Sequence, residues 1–99
     1  MRLEFHEEAL AEYQAAALRY AEHTPELAIR FVEAVEQALQ LVAESPSSWR
    51  VIEEDIHRCL TRIFPYGILY TVESDFILVL AVAHCSRQPG YWKSRQASA

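Results

Sequence analysis

The sequence predicts a single α+β domain over residues 1–99, in which a helical hairpin packs on one face of a small, mainly antiparallel sheet in the order β-α-α-β-β-β. Apolar residues recur every three or four positions in the first half, a period typical of helices with one buried side. In the second half they alternate or form continuous runs, as strands do. With 99 residues, 52% of them hydrophobic, the chain can bury one core but not two.

The helical half begins with a short strand, because Arg2–Phe5 alternates polar and apolar residues. A first helix is predicted from Glu7 to about His23, with an apolar stripe of Leu10, Tyr13, Ala17 and Tyr20. Thr24 and Pro25 suit the N-cap and first turn of a second helix, which Ser45 and Pro46 end. So short a connection predicts an antiparallel pair of helices.

The second half is predicted to form the sheet. Its strands are His57–Phe64, Tyr66–Val72 and the apolar run Phe76–Ala83, and Trp49–Glu53 is either an edge strand or an extended lead-in. Pro65 cannot donate a hydrogen bond, so a bend is expected there. The apolar run indicates a central strand covered on both faces, with the small Ala81 and Ala83 turned towards the helices. Tyr91–Arg95 is predicted as a short terminal helix or hook.

Composition excludes several classes of protein. No apolar run approaches the ~18 residues of a membrane helix, and Met1 to Glu4 lacks the apolar region of a secretory signal. Two cysteines are too few for a secreted disulfide framework. We therefore expect a cytoplasmic protein with no membrane partner.

Charge is distributed unevenly along the chain. Residues 1–55 hold twelve acids and four arginines, a balance of −8, whereas residues 56–99 hold five bases and two acids, a balance of +3. A general nucleic-acid binder is usually basic throughout. Any contact with RNA or DNA is thus expected in the second half alone.

No metal or cofactor is predicted. His57, Cys59, His84 and Cys85 carry metal-binding atoms, but His84 and Cys85 are expected on opposite faces of a strand and no C-x-x-C spacing occurs. The chain has only two glycines and no glycine-rich phosphate loop.

Two segments resemble a known family. RIFPY at 62–66, followed by Tyr70, and AVAHCSRQPGYW at 81–92, together with the order of elements, resemble the RelE/ParE superfamily of bacterial toxins, closer to the ParE-like branch. The resemblance covers nearly the whole chain. It implies the toxin of a type II toxin–antitoxin pair, encoded beside an antitoxin that wraps and silences it, and it associates the pair with plasmid stabilisation.

Superfamily resemblance leaves the target open. RelE-like members cut messenger RNA in the ribosomal A site without a metal, through attack of a ribose 2′-hydroxyl on the adjacent phosphate. ParE-like members poison DNA gyrase and carry no established hydrolytic site. An inactive relative retained for antitoxin binding is a third alternative. Either a homodimer or a hetero-oligomer with the antitoxin is expected.

Four residues are candidates for catalysis if the chain is a ribonuclease. Such a site needs a base, an acid and cations that stabilise the phosphate. His84 could act as acid or base, Arg87 and Arg62 could clamp phosphate, and Tyr91 could stack on a base or donate a proton. The alternative is structural: His84 would cap the strand end, and the arginines would pair with acids.

Candidate binding residues are Arg58, Trp92, Lys93 and Arg95. Trp92, with Tyr91, could equally cover the edge of the core, and Arg58 could be an exposed strand residue. The chain has one lysine and a pI near 5.3. Phosphate contacts supply much of the affinity for nucleic acids. The small number of basic residues therefore counts against ribosomal RNA as the main partner. The leading hypothesis is a ParE-like toxin that acts by binding a protein such as DNA gyrase.

Overall fold

The computed structural model describes residues 1–98, with side chains to residue 95. Its elements are β1 (Arg2–Phe5), α1 (Glu7–His23), α2 (Pro25–Glu44), a 3-10 turn (Pro46–Ser48), β2 (Arg50–Glu53), β3 (Ile56–Leu60), β4 (Tyr66–Val72), β5 (Phe76–His84) and α3 (Lys93–Ser98). The strands form one sheet in the order β1-β5-β4-β3-β2. β1 is parallel to β5, and the other neighbours are antiparallel. The predicted α+β fold is confirmed. Of the two alternatives for residues 49–53, the edge strand is present as β2, so within the described residues four strands follow α2, one more than in the predicted order.

The two long helices form the predicted hairpin, and Thr24 alone joins them. Its backbone N–H donates to the carbonyl of Tyr20 at 3.2 Å, and its hydroxyl accepts from the N–H of Leu27 at 3.1 Å. One residue therefore caps the end of α1 and the start of α2. No helix among residues 1–98 is long and apolar enough to span a bilayer.

The face of α1 that meets the core is rotated from the predicted stripe. Ala9 and Ala16 are fully buried, whereas Leu10 is 43% exposed. Tyr13 and Tyr20 are partly buried against the same core. Alanines at the contact let α1 lie close to the sheet, because they add little bulk between the backbones.

Phe31 of α2 is the centre of the core between the helices and the sheet. Its ring centroid lies 5.0 Å from those of Tyr20 and Tyr66, 5.4 Å from Phe64 and 6.1 Å from Tyr13. Most of these contacts are edge-on, an arrangement that aromatic quadrupoles favour. The ring joins both helices to the loop and strand that follow β3.

A second apolar cluster covers the opposite face of the sheet. It consists of Ile56, Leu69, Leu78, Leu80, Ala81 and Trp92. The predicted central strand, buried on both faces, is confirmed: β5 contributes Val79 and Val82 to the helical side and Leu80 and Ala81 to this one.

The expected orientation of Ala81 and Ala83 is wrong. Leu69 pairs with Ala81 and Tyr70 with Val79, so the register shifts at this point and Leu80 is an extra residue in β5. Such a bulge reverses the alternation of faces beyond it. Ala81 and Ala83 therefore pack in the cluster opposite the helices.

Strand β3 is shorter than predicted, since it ends at Leu60 rather than Phe64. Two tight turns follow, in which Phe64 N–H donates to the Arg62 carbonyl at 2.8 Å and Tyr66 N–H to the Phe64 carbonyl at 2.9 Å. Ile63 has a φ of 74°, a strained value for a β-branched residue. These turns direct Phe64 into the helical core, and Ile63 is 83% exposed.

Replacing Phe31 by alanine tests its central place. We expect Phe31→Ala to lower the free energy of unfolding by about 3–5 kcal/mol, because a large cavity replaces the ring. Chemical denaturation measures the loss. Ile29→Ala on the same helix, at a position 59% exposed, should change stability by about 0.5 kcal/mol or less. Similar losses in both variants would contradict this description of the core.

Candidate functional site

The site is built around a gap at the edge of β5. β1 is only four residues long and pairs with β5 as far as Val79, after which His6 N–H donates to the Val79 carbonyl at 2.9 Å. From Leu80 to His84 no strand within residues 1–98 pairs with this edge. Unpaired buried backbone groups are costly, so other groups must satisfy them.

Glu12 of α1 and Arg95 of α3 take the place of the missing strand. The Val82 N–H donates to Glu12 Oε1 at 3.1 Å, and Arg95 Nη1 donates to the Leu80 carbonyl at 2.9 Å. The two side chains also bind each other through two hydrogen bonds, Nη1–Oε1 at 2.9 Å and Nη2–Oε2 at 3.0 Å. Arg95 is only 7% exposed, and its hydrogen bonds with Glu12 raise its pKa.

Tyr91 completes this network. Its hydroxyl donates to Glu12 Oε2 at 2.7 Å, and the Arg87 guanidinium lies over its ring, 3.9 Å from the centroid. Burial, followed by the hydrogen bond with Glu12, raises the pKa of Tyr91 well above its usual range. The phenol is therefore a weak acid, and its proton is already held by a carboxylate.

His84 ends β5 and shapes the turn that follows. Its Nδ1 lies 3.0 Å from the Ser86 N–H, which donates to it, and 2.8 Å from the Ser86 hydroxyl. The Arg87 N–H donates to the His84 carbonyl at 3.0 Å. In the neutral imidazole these contacts place the ring proton on Nε2. The histidine thus caps the strand end, as the structural interpretation of the sequence proposed.

A groove of about 430 Å³ lies between α1 and the end of β5. It brings two predicted residues, His84 and Arg87, together with side chains of α1, and Arg95 forms part of its wall. Arg62 does not line it. Arg62 lies in a separate groove beside α2, with Arg30 and Phe64, because the turns after β3 carry it away from the strand path that the alternation predicted.

A smaller cavity of about 120 Å³ lies on the other face of the sheet, and His84 and Arg87 line this one as well. Arg58 and Trp92 form part of its wall. The stem of Arg58 lies over Gly67, where an added Cβ would come within 3.2 Å of it. The turn after β5 is therefore a ridge between two concave surfaces.

The remaining predicted binding residues are engaged with the protein itself. Trp92 is 5% exposed and belongs to the second cluster, so it covers the sheet. Lys93 forms an exposed ion pair with Glu53 at 3.1 Å. Arg95, predicted as a binding residue, is buried against Glu12, which gives it a structural role.

Sequence reasoning missed Glu12, Arg19 and Tyr66. Arg19 Nη2 donates to the Tyr66 hydroxyl at 3.2 Å, and both residues line the groove. A signal for Glu12 was present, because Ala9, Glu12 and Ala16 share one helical face and an acid among buried alanines needs a partner. No comparable pattern singles out Arg19.

Cysteine and histidine show no arrangement for metal binding in the part of the chain described. No three His, Cys, Asp or Glu side chains within residues 1–98 gather closely enough to hold an ion. Cys59 is buried, which raises its pKa to about 11, and Cys85 is exposed.

The sequence matches a known protein family. Residues 3–89 match the family model of the ParE toxin of the type II toxin–antitoxin system parDE. The chain belongs to the ParE toxin family. It is thus a toxin of a type II toxin–antitoxin system, and the match spans the helical hairpin, the sheet and the turn at His84.

A solved structure has the same fold. A chain from the chromosomal ParDE toxin–antitoxin system of P. aeruginosa aligns with a TM-score of 0.70 and 24% sequence identity, covering 85% of this ParE toxin and 95% of that chain. Comparison with curated protein sequences gives no match. The relationship therefore rests on the family pattern and the shared architecture.

Removing the negative charge of Glu12 tests the network. We expect Glu12→Gln to lower the free energy of unfolding by about 3 kcal/mol, because Arg95 stays buried without its counter-charge. Thermal and chemical denaturation measure the effect.

Glu8 provides the matched control. It lies one turn earlier on α1, 3.8 Å from Arg95 Nε, with a side chain 62% exposed. Glu8→Gln should cost about 0.5 kcal/mol or less, since water screens exposed pairs. Equal losses of stability in the two variants would mean that the Glu12–Arg95 network does not hold the C-terminal segment in place.

Proposed function

We propose that this ParE toxin arrests growth in the cytoplasm by binding DNA gyrase, and that a cognate antitoxin neutralises it. The observation that carries the proposal is the exposed ridge at His84–Arg87, flanked by concave surfaces on both sides, in a chain of the ParE family. A ridge of this shape suits contact with a protein surface. On a plasmid, such a pair would favour stable inheritance.

The state of the candidate catalytic residues supports binding over RNA cleavage. The Tyr91 hydroxyl is committed to Glu12 and has a raised pKa. Nδ1 of His84 is occupied by Ser86, and Arg62 lines another groove. A metal-free ribonuclease needs acid, base and cation around one phosphate. His84 and Arg87 line one groove, but the Tyr91 proton is hydrogen-bonded to Glu12 and Arg62 lies elsewhere.

Arg87 is the strongest candidate for a contact with the target. It lies in a turn at the mouth of both cavities, and Tyr91 supports its guanidinium from one side. Arginine is enriched among the residues that dominate protein interfaces, especially where it is held in place before binding.

Induction of the chain in a bacterial host without its antitoxin tests the target. We expect growth to stop and relaxed plasmid to accumulate, and the purified toxin to inhibit gyrase supercoiling while ribosome-bound message stays intact. Arg87→Ala should weaken this inhibition by about tenfold, the loss of one interface anchor.

Arg50→Ala is the control, because Arg50 is an exposed arginine at the start of the edge strand β2, and it should leave inhibition unchanged. Cleavage of ribosome-bound message with normal supercoiling would replace the proposal by a RelE-like ribonuclease. Normal growth on induction would indicate an inactive relative kept for antitoxin binding.

The acidic half of the chain provides a docking surface for the antitoxin. A groove of about 580 Å³ runs between β1 and α2, lined by Leu3, Phe5, Leu39 and polar side chains that include Glu33 and Glu36. β1 is at the end of the sheet, so no strand of the described part of the chain lies along its outer edge. A basic antitoxin segment with apolar residues would match this surface in charge and polarity.

This charge match predicts a salt-dependent complex. The dissociation constant of toxin and antitoxin should rise steeply between about 0.05 and 0.5 M salt, as measured by calorimetry. Glu33→Lys should weaken binding by about tenfold, whereas Glu22→Lys, an exposed position on α1 outside this groove, should have little effect. An affinity independent of salt would remove the electrostatic basis for docking here.

A further inference from the structure

The groove between α1 and the end of β5 has an apolar floor. Ala11 and Ala15 line it one helical turn apart, and Val82 lies opposite them on β5. Ala15 is exposed and Val82 is 2% exposed. Because two alanines stand where larger side chains would fill the space, the groove is wide enough for a side chain from another molecule.

Basic side chains from two elements line the groove. Arg19 enters from α1, and His84 and Arg87 enter from the end of β5 and its turn. Neither Arg19 nor Arg87 forms an ion pair with a carboxylate of residues 1–95, although the chain has fourteen acids and a net charge of −5. Two guanidinium groups therefore line one groove without an ion-paired carboxylate from residues 1–95.

Both arginines are held in position by aromatic side chains. Arg19 donates one N–H to the Tyr66 hydroxyl at 3.2 Å, and the Arg87 guanidinium lies 3.9 Å from the centroid of Tyr91. Each guanidinium has five N–H donors, so most of them remain available to a carboxylate. Prior ordering of this kind lowers the entropy lost on binding.

We propose that this groove binds an acidic peptide segment of a protein partner, with a carboxylate against Arg19 and Arg87 and an adjacent apolar side chain on the alanine floor. Guanidinium groups pair well with carboxylates because of their planar geometry. The apolar floor would bury a hydrophobic side chain that a free anion lacks.

The charges of the walls favour a peptide over nucleic acid. Glu8 and Glu12 line the same groove, and although Arg95 neutralises Glu12, Glu8 is exposed. A polyanion would bring several phosphates near Glu8 and would find few cations along its path. A single acidic residue beside an apolar one needs only the two arginines and the alanine floor.

This inference goes beyond the proposed function. The groove differs from the β1–α2 surface assigned to the antitoxin, and binding in it does not require that the target be gyrase. A failure here would therefore leave the growth and supercoiling experiments unaffected.

The test is a titration of the isotope-labelled full chain, followed by amide NMR. The probe is acetyl-Leu-Glu-Glu-amide, and the matched probe without charge is acetyl-Leu-Gln-Gln-amide. We expect the acidic probe to shift amides of residues 11–19 and 82–87 with an affinity in the millimolar range, and the neutral probe to bind at least about fivefold more weakly.

Variants locate the site. Arg19→Gln and Arg87→Gln should each weaken the acidic probe by about fivefold, whereas Arg50→Gln, an exposed arginine outside the groove, should not. Unshifted amides elsewhere in each variant show that it is folded. Equal binding of the two probes, or equal affinity in all three variants, would overturn the proposal. Displacement of the probe by a short single-stranded RNA at lower concentration would overturn it in favour of nucleic acid.

Discussion

The position of the chain after β5 in this ParE toxin depends on the ion pair between Glu12 and Arg95. It satisfies the Val82 N–H and the Leu80 carbonyl, which the short strand β1 leaves without a partner. Buried ion pairs contribute little net stability by themselves, because desolvation offsets their attraction. Here the pair also connects α1 and α3 across the edge of the sheet. Its main effect is to fix the chain after β5 in one position.

Because the chain after β5 is held in one position, it can cover the face of the sheet opposite the helices. Trp92 precedes the anchored Arg95 by three residues and covers a cluster that contains no residue of the helical hairpin. The bulge at Leu80 supplies this cluster with two successive residues of β5, Leu80 and Ala81. A regular strand would have turned one of them towards the helices. The bulge and the anchored terminal segment therefore allow a short chain to bury both faces of its central strand.

The same anchor positions the exposed ridge. Tyr91 is held by Glu12, and Arg87 is held by Tyr91, so one carboxylate determines where the arginine lies. The Tyr91 hydroxyl donates a hydrogen bond to this carboxylate, and its raised pKa makes it a weak acid. An exposed arginine that an aromatic ring supports on one side suits the recognition of a partner. The proposed binding of a protein target depends on this arginine.

The sequence by itself determined the elements that depend on local physics. Helical periodicity, the Thr24 cap and the apolar run of β5 predicted the hairpin, its turn and the central strand, because each signal involves residues close together in the chain. It also placed His84 at a strand end beside Arg87. Only the tertiary structure decided the early end of β3 and the reversal of faces at Leu80. Only it paired Glu12 with Arg95, which are 83 positions apart, because such a contact depends on how whole elements pack.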